Sequence, residues 1–255
     1  MSTGSERGAA AMLTTEQLAQ YRAQGYAVGG TLLAGDALAE LRRRMDARIA
    51  ALPAGHRSEN MASLHYDDPY FRDLFLGTAF VDIAERILGP DLALFTTYAI
   101  SKRPGDGLPV AWHQDAAFFP IEPMATFTLW LAVDDSTRAN GAMQVIAGSH
   151  RERRLVPHDV DHGGGSVLPL HLEGFRPEQA VDVELAAGGF SVHDPFILHG
   201  SPPNRSPARR CGITIKYVST SVRLDRGFVS PTGFDWRGVR LYHARGARGR
   251  LDYVN

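Results

Sequence analysis

A chain of 255 residues that is 44% hydrophobic and 22% charged has the composition of a globular protein able to bury one sizeable core, which excludes wholesale disorder. Its 27 Lys and Arg against 28 Asp and Glu leave a net charge of −1, so no overall field draws it to nucleic acid or to an acidic membrane. A lone cysteine, Cys211, excludes an internal disulfide framework and a multi-cysteine metal site and points to a reducing, cytoplasmic setting.

Residues 1–12 read as a flexible leader without the apolar run of a signal peptide, and apolar stretches elsewhere fall short of the roughly 18 residues of a membrane span. Thr14-x-x-Gln17 forms a capping box, with Leu13 and Leu18 placed to staple the first turn of a helix that carries Tyr21 and stops at Gly25. A second helix is predicted from Gly35 to Ala51, with Leu38, Leu41, Met45 and Ile49 on one face. Its Arg42, Arg43 and Arg44 form a solvated face rather than an anion site. A third helix runs from Phe80 to Leu88 and is closed by Gly89-Pro90.

After Pro90 the texture changes to β-rich runs, such as Leu92 to Ser101, Phe127 to Val133 and Ile213 to Val218, separated by Gly, Pro and Asn clusters. Helices first and strands later predict an α+β protein whose N-terminal helices cover one face of a β-sandwich or jelly roll. No Pro/Ser linker divides the chain, so residues 1–255 read as one domain. His158 to Ser166, with two His, two Asp and three successive glycines, reads as a mobile loop near an active site. The basic tail from Arg237 to Arg250 reads as a soluble surface more than as a grip on an anionic partner.

Two His-x-Asp triplets occur. His65-Tyr66-Asp67 lies in a polar stretch between helical segments, whereas His113-Gln114-Asp115 ends a β-like run from Leu108 to Trp112. In a strand, residues i and i+2 share a face, so His113 and Asp115 can hold one metal ion from one edge. His199, in Phe196-Ile197-Leu198-His199-Gly200-Ser201, is the candidate for a third ligand. Two imidazoles and a carboxylate on one face leave positions open, the arrangement that suits non-haem Fe(II) enzymes binding a cosubstrate and dioxygen.

An anion clamp is expected from Arg209 or Arg210, because a guanidinium grips a carboxylate through two parallel hydrogen bonds. Alternation puts Arg210 with Gly212, Thr214 and Lys216, and Arg209 with Cys211, Ile213, Ile215 and Tyr217, which favours Arg210. Likewise Thr126, Thr128, Trp130 and Ala132 share one face, while Phe127, Leu129, Leu131 and Val133 form a core face. Trp130 then offers the cavity a flat apolar wall and an indole N–H, or stands as a half-exposed structural residue.

These residues and their surroundings resemble the phytanoyl-CoA dioxygenase family of Fe(II)- and 2-oxoglutarate-dependent oxygenases. The resemblance runs through Gly25-Tyr26-Ala27-Val28, Ser101-Lys102, Trp112-His113-Gln114-Asp115, Trp130 to Asp134, Asn140-Gly141-Ala142-Met143 and Gly148-Ser149-His150. It resumes at Ala187-Gly188-Gly189, His199-Gly200-Ser201, Asn204-Arg205-Ser206 and Arg210 to Tyr217. It implies a double-stranded β-helix (jelly-roll) core, His113, Asp115 and His199 as iron ligands, and Arg210 as the clamp on the distal carboxylate of 2-oxoglutarate. Lys102, Trp130 and Ser201 match positions that help hold 2-oxoglutarate, and His150 is a structural residue. The adjacent Arg209 leaves the clamp open by one position.

The resemblance implies hydroxylation of a substrate C–H bond with O2, releasing succinate and CO2; desaturation, epoxidation and ring closure start from the same cofactors. Asp115 leaves no vacant ligand position for a halide, which speaks against halogenation. A redox-neutral metal hydrolase or isomerase would use the same three ligands but leave Arg210 without a task, and a non-catalytic β-sandwich would leave the whole constellation without one. The expected substrate is a small metabolite rather than an acyl-CoA, with Phe118 and Phe119 as apolar walls and His65 and Tyr66 as polar contacts.

Overall fold

A computed structural model describes residues 12–160, 163, 165–168, 170–172, 177–230 and 233–255. The expected leader, apart from Met12, and positions 161, 162 and 164 of the glycine-rich loop lie outside the described residues.

Helix α1 (Thr15–Gln24) begins where the capping box puts it: Gln17 N donates to Thr14 Oγ1 at 3.2 Å and Thr14 N donates to the Gln17 amide oxygen at 2.8 Å. It ends at Gly25, whose φ of 83° is left-handed, and a Cβ there would lie 2.5 Å from the His150 ring. His150 Nε2 also sits 3.1 Å from the Arg22 carbonyl, so the residue anchors the end of α1. Strand β1 (Tyr26–Thr31) leaves this cap directly, followed by α2 (Gly35–Ala50), β2 (Met61–Ala62), α3 (Leu64–Asp67), α4 (Pro69–Phe75) and α5 (Thr78–Leu88).

Leu41 and Met45 of α2 are fully buried, as the apolar face predicts. The three arginines beside them do more than meet solvent. Arg42 donates to the Val133 carbonyl at 3.0 Å, and Arg43 and Arg44 bond Glu40. Short α4 escapes periodicity analysis but carries its own start signal, with Pro69 in its first turn and Asp68 accepting from Tyr70 N at 3.0 Å.

The remaining strands are β3 (Leu92–Lys102), β4 (Val110–His113), β5 (Ile121–Glu122), β6 (Thr126–Ala132), β7 (Met143–Val145), β8 (Asp159–Val160) and β9 (Leu170–His171). They continue with β10 (Val181–Val183), β11 (Gly189–His193), β12 (His199–Ser201), β13 (Arg210–Ser219), β14 (Arg223–Leu224) and β15 (Tyr242–Arg245). Among the described residues the larger sheet has the order β1-β11-β6-β13-β3-β15, with β2 also on β3, and the smaller has the order β10-β7-β12-β4. All these pairings are antiparallel. The architecture is the expected α+β jelly roll.

One face of the larger sheet, with Phe127, Leu129, Leu131, Ile213, Ile215 and Tyr217, packs against Leu41, Met45, Phe71, Phe75 and Phe80 of the helices. Each such side chain contributes about 1.5–3 kcal/mol by leaving water, so burial rather than helical propensity holds these short helices. The opposite face looks toward the smaller sheet, and the cavity lies between them. A register shift places Lys216 opposite Thr96 but Tyr217 opposite Leu94, leaving Phe95 as an extra residue on β3. This bulge switches the parity of β3: Leu94 enters the helix-side core, whereas Ala93 and Phe95 join a second cluster with Trp236 and Leu241. No helix among the described residues is long and apolar enough to cross a membrane.

Candidate active site

Antiparallel pairing of β12 with β4 sets His199 directly opposite His113, with ring centroids 4.1 Å apart. Asp115 lies just beyond β4, at the start of a 3-10 turn, but Gln114 is still extended, so the alternation carries the carboxylate to the same side. Ligand atoms of His113, Asp115 and His199 all lie within 4.8 Å of one another, and each residue is buried in the wall of a cavity of about 340 Å³.

Each imidazole is oriented from behind. Nδ1 of His113 is 2.8 Å from the Ala111 carbonyl and Nδ1 of His199 is 3.1 Å from the Ile197 carbonyl. A carbonyl only accepts, so the proton belongs on Nδ1 and the lone pair on Nε2. Burial, followed by the neighbouring His113 and His193, keeps His199 well below the ordinary imidazole range and hence neutral. For Asp115, burial pushes the carboxyl upward, but Lys216, His113 and His193 outweigh it and hold the group well below the usual carboxylate range. Thr128 donates to Asp115 Oδ2 at 2.5 Å, while Oδ1 faces His113 Nε2 at 3.7 Å.

The paired arginines divide as alternation requires. Arg210 is 1% exposed and lines the cavity; its Nε and Nη2 donate to the Gly141 carbonyl at 3.1 and 2.7 Å, and its guanidinium lies 5.0 Å from the Trp130 ring. Nη1 is buried with no hydrogen-bond partner among the described residues. Burial lowers the group to about 10, which leaves it cationic at neutral pH. Arg209 instead bonds Asp134 at 2.7 Å and Asp46 at 2.6 Å. Trp130 is 3% exposed and lines the cavity, a placement Gly212 makes possible because a Cβ there would lie 2.2 Å from the indole.

Ser201 lines the cavity, and Lys102 stands behind it: Nζ donates to Ser201 Oγ at 2.7 Å and to the Pro202 carbonyl at 2.5 Å. Burial and the adjacent Arg210 push the Lys102 amine down to about 6 from an ordinary 10.5. Between those two values the unfolded chain holds a proton that the folded chain has released, so stability rises with pH across the window and is lowest below it. Lys102→Met should remove this slope. Urea unfolding between about pH 6.5 and 8.5 is expected to show wild type gaining on the variant by up to about 1.4 kcal/mol per unit. Parallel curves would mean that Lys102 titrates as it does in water.

Of the expected substrate contacts, Phe118 and Phe119 line the cavity. His65 and Tyr66 do not: they lie on α3, where His65 is fully buried with Nδ1 2.9 Å from Thr97 Oγ1, and the Tyr66 hydroxyl accepts from Arg240 N at 2.8 Å. The short helix turns this triplet into the packing behind β3, and Thr97 rather than His65 reaches the cavity. The glycine-rich loop does adjoin the site. Ser166 Oγ accepts from Ala111 N at 2.8 Å, His158 Nε2 accepts from Gln114 N at 3.1 Å, and Val167 and Leu168 line the cavity. In the basic tail, Arg237 pairs with Asp235 and Arg245 with Asp82 and Glu85, while Arg240 lies over Tyr66 and Arg248 over Tyr253.

Sequence reasoning assigned no role to His193, Phe234 or Trp236 and placed Lys216 only on the Arg210 face that could line a pocket; all four line the cavity. His193 pairs with Thr128 across β11 and β6 and places Nε2 3.5 Å from Asp115 Oδ2, closing the back of the carboxylate. Parity along β13 had already set Lys216 beside Arg210, which was the available signal.

A family model for phytanoyl-CoA dioxygenase (PhyH) matches residues 10–212. Phytanoyl-CoA dioxygenase 1 of Oryza sativa subsp. japonica is 29% identical over 162 residues, which are 62% of this chain and 56% of that protein. The probable alpha-ketoglutarate-dependent hypophosphite dioxygenase of Stutzerimonas stutzeri is 31% identical over 142 residues, 54% of this chain and 49% of that protein. The matched stretches thus span about half the length of these relatives. Among solved structures, apo ThoJ, a non-heme monooxygenase, superposes with a TM-score of 0.72 at 25% identity, covering 93% of this chain and 86% of that one. EvdO2 of Micromonospora carbonacea var. aurantiaca, complexed with 2-oxoglutarate, shares the fold with a TM-score of 0.70 at 21% identity over 89% of this chain and 99% of that one.

Proposed function

The chain belongs to the phytanoyl-CoA dioxygenase family, and from that premise we propose that it is a non-haem Fe(II)- and 2-oxoglutarate-dependent oxygenase that hydroxylates a C–H bond of a small molecule. The observation that carries this reading is the convergence of His113, Asp115 and His199 in a cavity whose wall holds a cationic Arg210 with an unpartnered nitrogen.

The donor set fits the ion. Two neutral imidazole nitrogens and one carboxylate oxygen suit Fe(II), and with Thr128 donating to Oδ2 the Asp115 Oδ1 that faces His113 is the less encumbered donor. The unpartnered Arg210 Nη1 fits the distal carboxylate of 2-oxoglutarate, with the Ser201 hydroxyl, held by Lys102, as a further contact. Bound there, iron and 2-oxoglutarate supply the oxidation of a substrate C–H bond to an alcohol by O2, with succinate and CO2 as co-products. The protein's part is to fix position: the Gly141 carbonyl aims the guanidinium, and Trp130 covers it and keeps water from the charge.

A volume of about 340 Å³ sits at the low end of the roughly 300–1,000 Å³ of small-molecule sites, which supports a compact substrate. The same proposal treats 1–255 as one domain working in the cytoplasm. Succinate formation from 2-oxoglutarate with Fe(II) and O2 is its test. Purified protein should produce succinate slowly alone and faster with a true substrate, and metal-dependent hydrolysis without succinate would replace this reading with the redox-neutral one.

A further inference from the structure

Besides Asp115 and Arg210, the charged side chains among the described lining residues include one more, Lys216. It lies on β13 opposite Thr96 and Thr128, 7% exposed, with its ammonium 5.4 Å from the Phe119 ring. No acceptor among the described residues hydrogen-bonds it. Its acidic neighbour is Asp115 Oδ2 at 3.6 Å, beyond hydrogen-bond reach, and that oxygen already accepts from Thr128. Lys216 is buried as a residue, but its Nζ is not among the unpartnered atoms sealed from solvent, so its three donors stay open to an acceptor that enters the cavity.

Charge bookkeeping points the same way. Asp115, Arg210 and Lys216 sum to +1, and an Fe(II) ion with a 2-oxoglutarate dianion leaves that sum unchanged. One positive charge in a low-dielectric cavity therefore stays unbalanced until a third molecule supplies a negative one. Phe119 stands against the Lys216 ammonium, and the same cavity is lined by Phe118, Phe234 and Trp236, with Phe234 and Trp236 edge to face at 4.9 Å. We infer that Lys216 is the anchor for the primary substrate, and that this substrate is a monoanion, a carboxylate or similar oxyanion carried on an apolar or aromatic body. The inference rests on the oxygenase reading for which molecule takes the second cation, Arg210, and leaves Lys216 for the substrate.

The test compares 3-phenylpropionate with 3-phenylpropanamide, which share a body and differ in charge. Binding is measured by calorimetry on protein loaded with Mn(II) and 2-oxoglutarate, so that Arg210 is occupied and no turnover follows. Wild type should bind the carboxylate about tenfold or more tightly than the amide, Lys216→Met should bring the two within about twofold, and Lys216→Arg should restore the preference. Because the readout is a ratio within one protein, a general loss of folding or of metal lowers both affinities and does not mimic the result. Equal affinities in wild type, a preference that survives in Lys216→Met, or no binding of the carboxylate at millimolar concentration would overturn the inference. Should Mn(II) or 2-oxoglutarate itself fail to bind, the oxygenase reading falls separately. The same probes on unloaded Lys216→Met and Arg210→Ala then decide, and a loss confined to Arg210→Ala counts against Lys216.

Discussion

His199→Ala is expected to abolish metal binding and turnover together while leaving the chain folded. In the proposed ligand set His199 supplies one of three donors, and the two that remain, His113 Nε2 and Asp115 Oδ1, face each other at 3.7 Å without a third side to close the set. Supporting groups behind a ligand are worth about 10–100-fold in affinity, so loss of the ligand itself should exceed that range. The cost to the fold is small by comparison: the ring borders a cavity, and its side-chain hydrogen bond to the Ile197 carbonyl is worth about 1 kcal/mol net. His113→Ala and Asp115→Ala should behave alike. Calorimetry with Mn(II) under neutral conditions checks this, and wild-type affinity in any of the three variants would refute the ligand assignment.

Arg210→Ala should weaken 2-oxoglutarate far more than Arg209→Ala. Loss of a buried, hydrogen-bonded charge pair costs about 2–5 kcal/mol, part of it the penalty of leaving the ligand carboxylate unpaired. Arg209 spends its charge on Asp134 and Asp46 at a partly exposed site, where such pairs are worth about 1 kcal/mol or less, so its removal should touch stability slightly and cosubstrate affinity not at all. Titrating 2-oxoglutarate into both Mn(II)-loaded variants separates them; a greater loss in Arg209→Ala would reverse the assignment.

What could be read from the chain was whatever depends on short spacing. His113 and Asp115 are two residues apart, and the split between Arg209 and Arg210 is a matter of strand parity, so period-2 geometry sufficed for both. The capping box at Thr14 and Gln17 is equally local. Contacts that depend on which strands neighbour which could not be read. His193 meets Asp115 because β11 lies beside β6, and Gly141 meets Arg210 across 69 residues of sequence. The bulge at Phe95 is also silent in the residues, yet it decides which side chains of β3 face inward. His65 misled as a substrate contact for a different reason: a polar residue between helical segments can border a cavity or pack behind a strand, and the short helix α3 buries this one against Thr97.

The opposition of His113 and His199 across β4 and β12 is a backbone fact before it is a side-chain one. Ladder hydrogen bonds fix the spacing of the two imidazoles, and β7 on the other edge of β12 keeps that strand from sliding. A slip of one residue would send one ring to the opposite face of the sheet, so any state with shifted pairing is blind to the ion. The conformational entropy of gathering the two rings is therefore spent when the sheet forms, and an arriving cation meets a finished pair rather than assembling one. Occupancy of the site thus reports on correct pairing of the small sheet, and the ion acts as a reader of the fold as well as a guest in it.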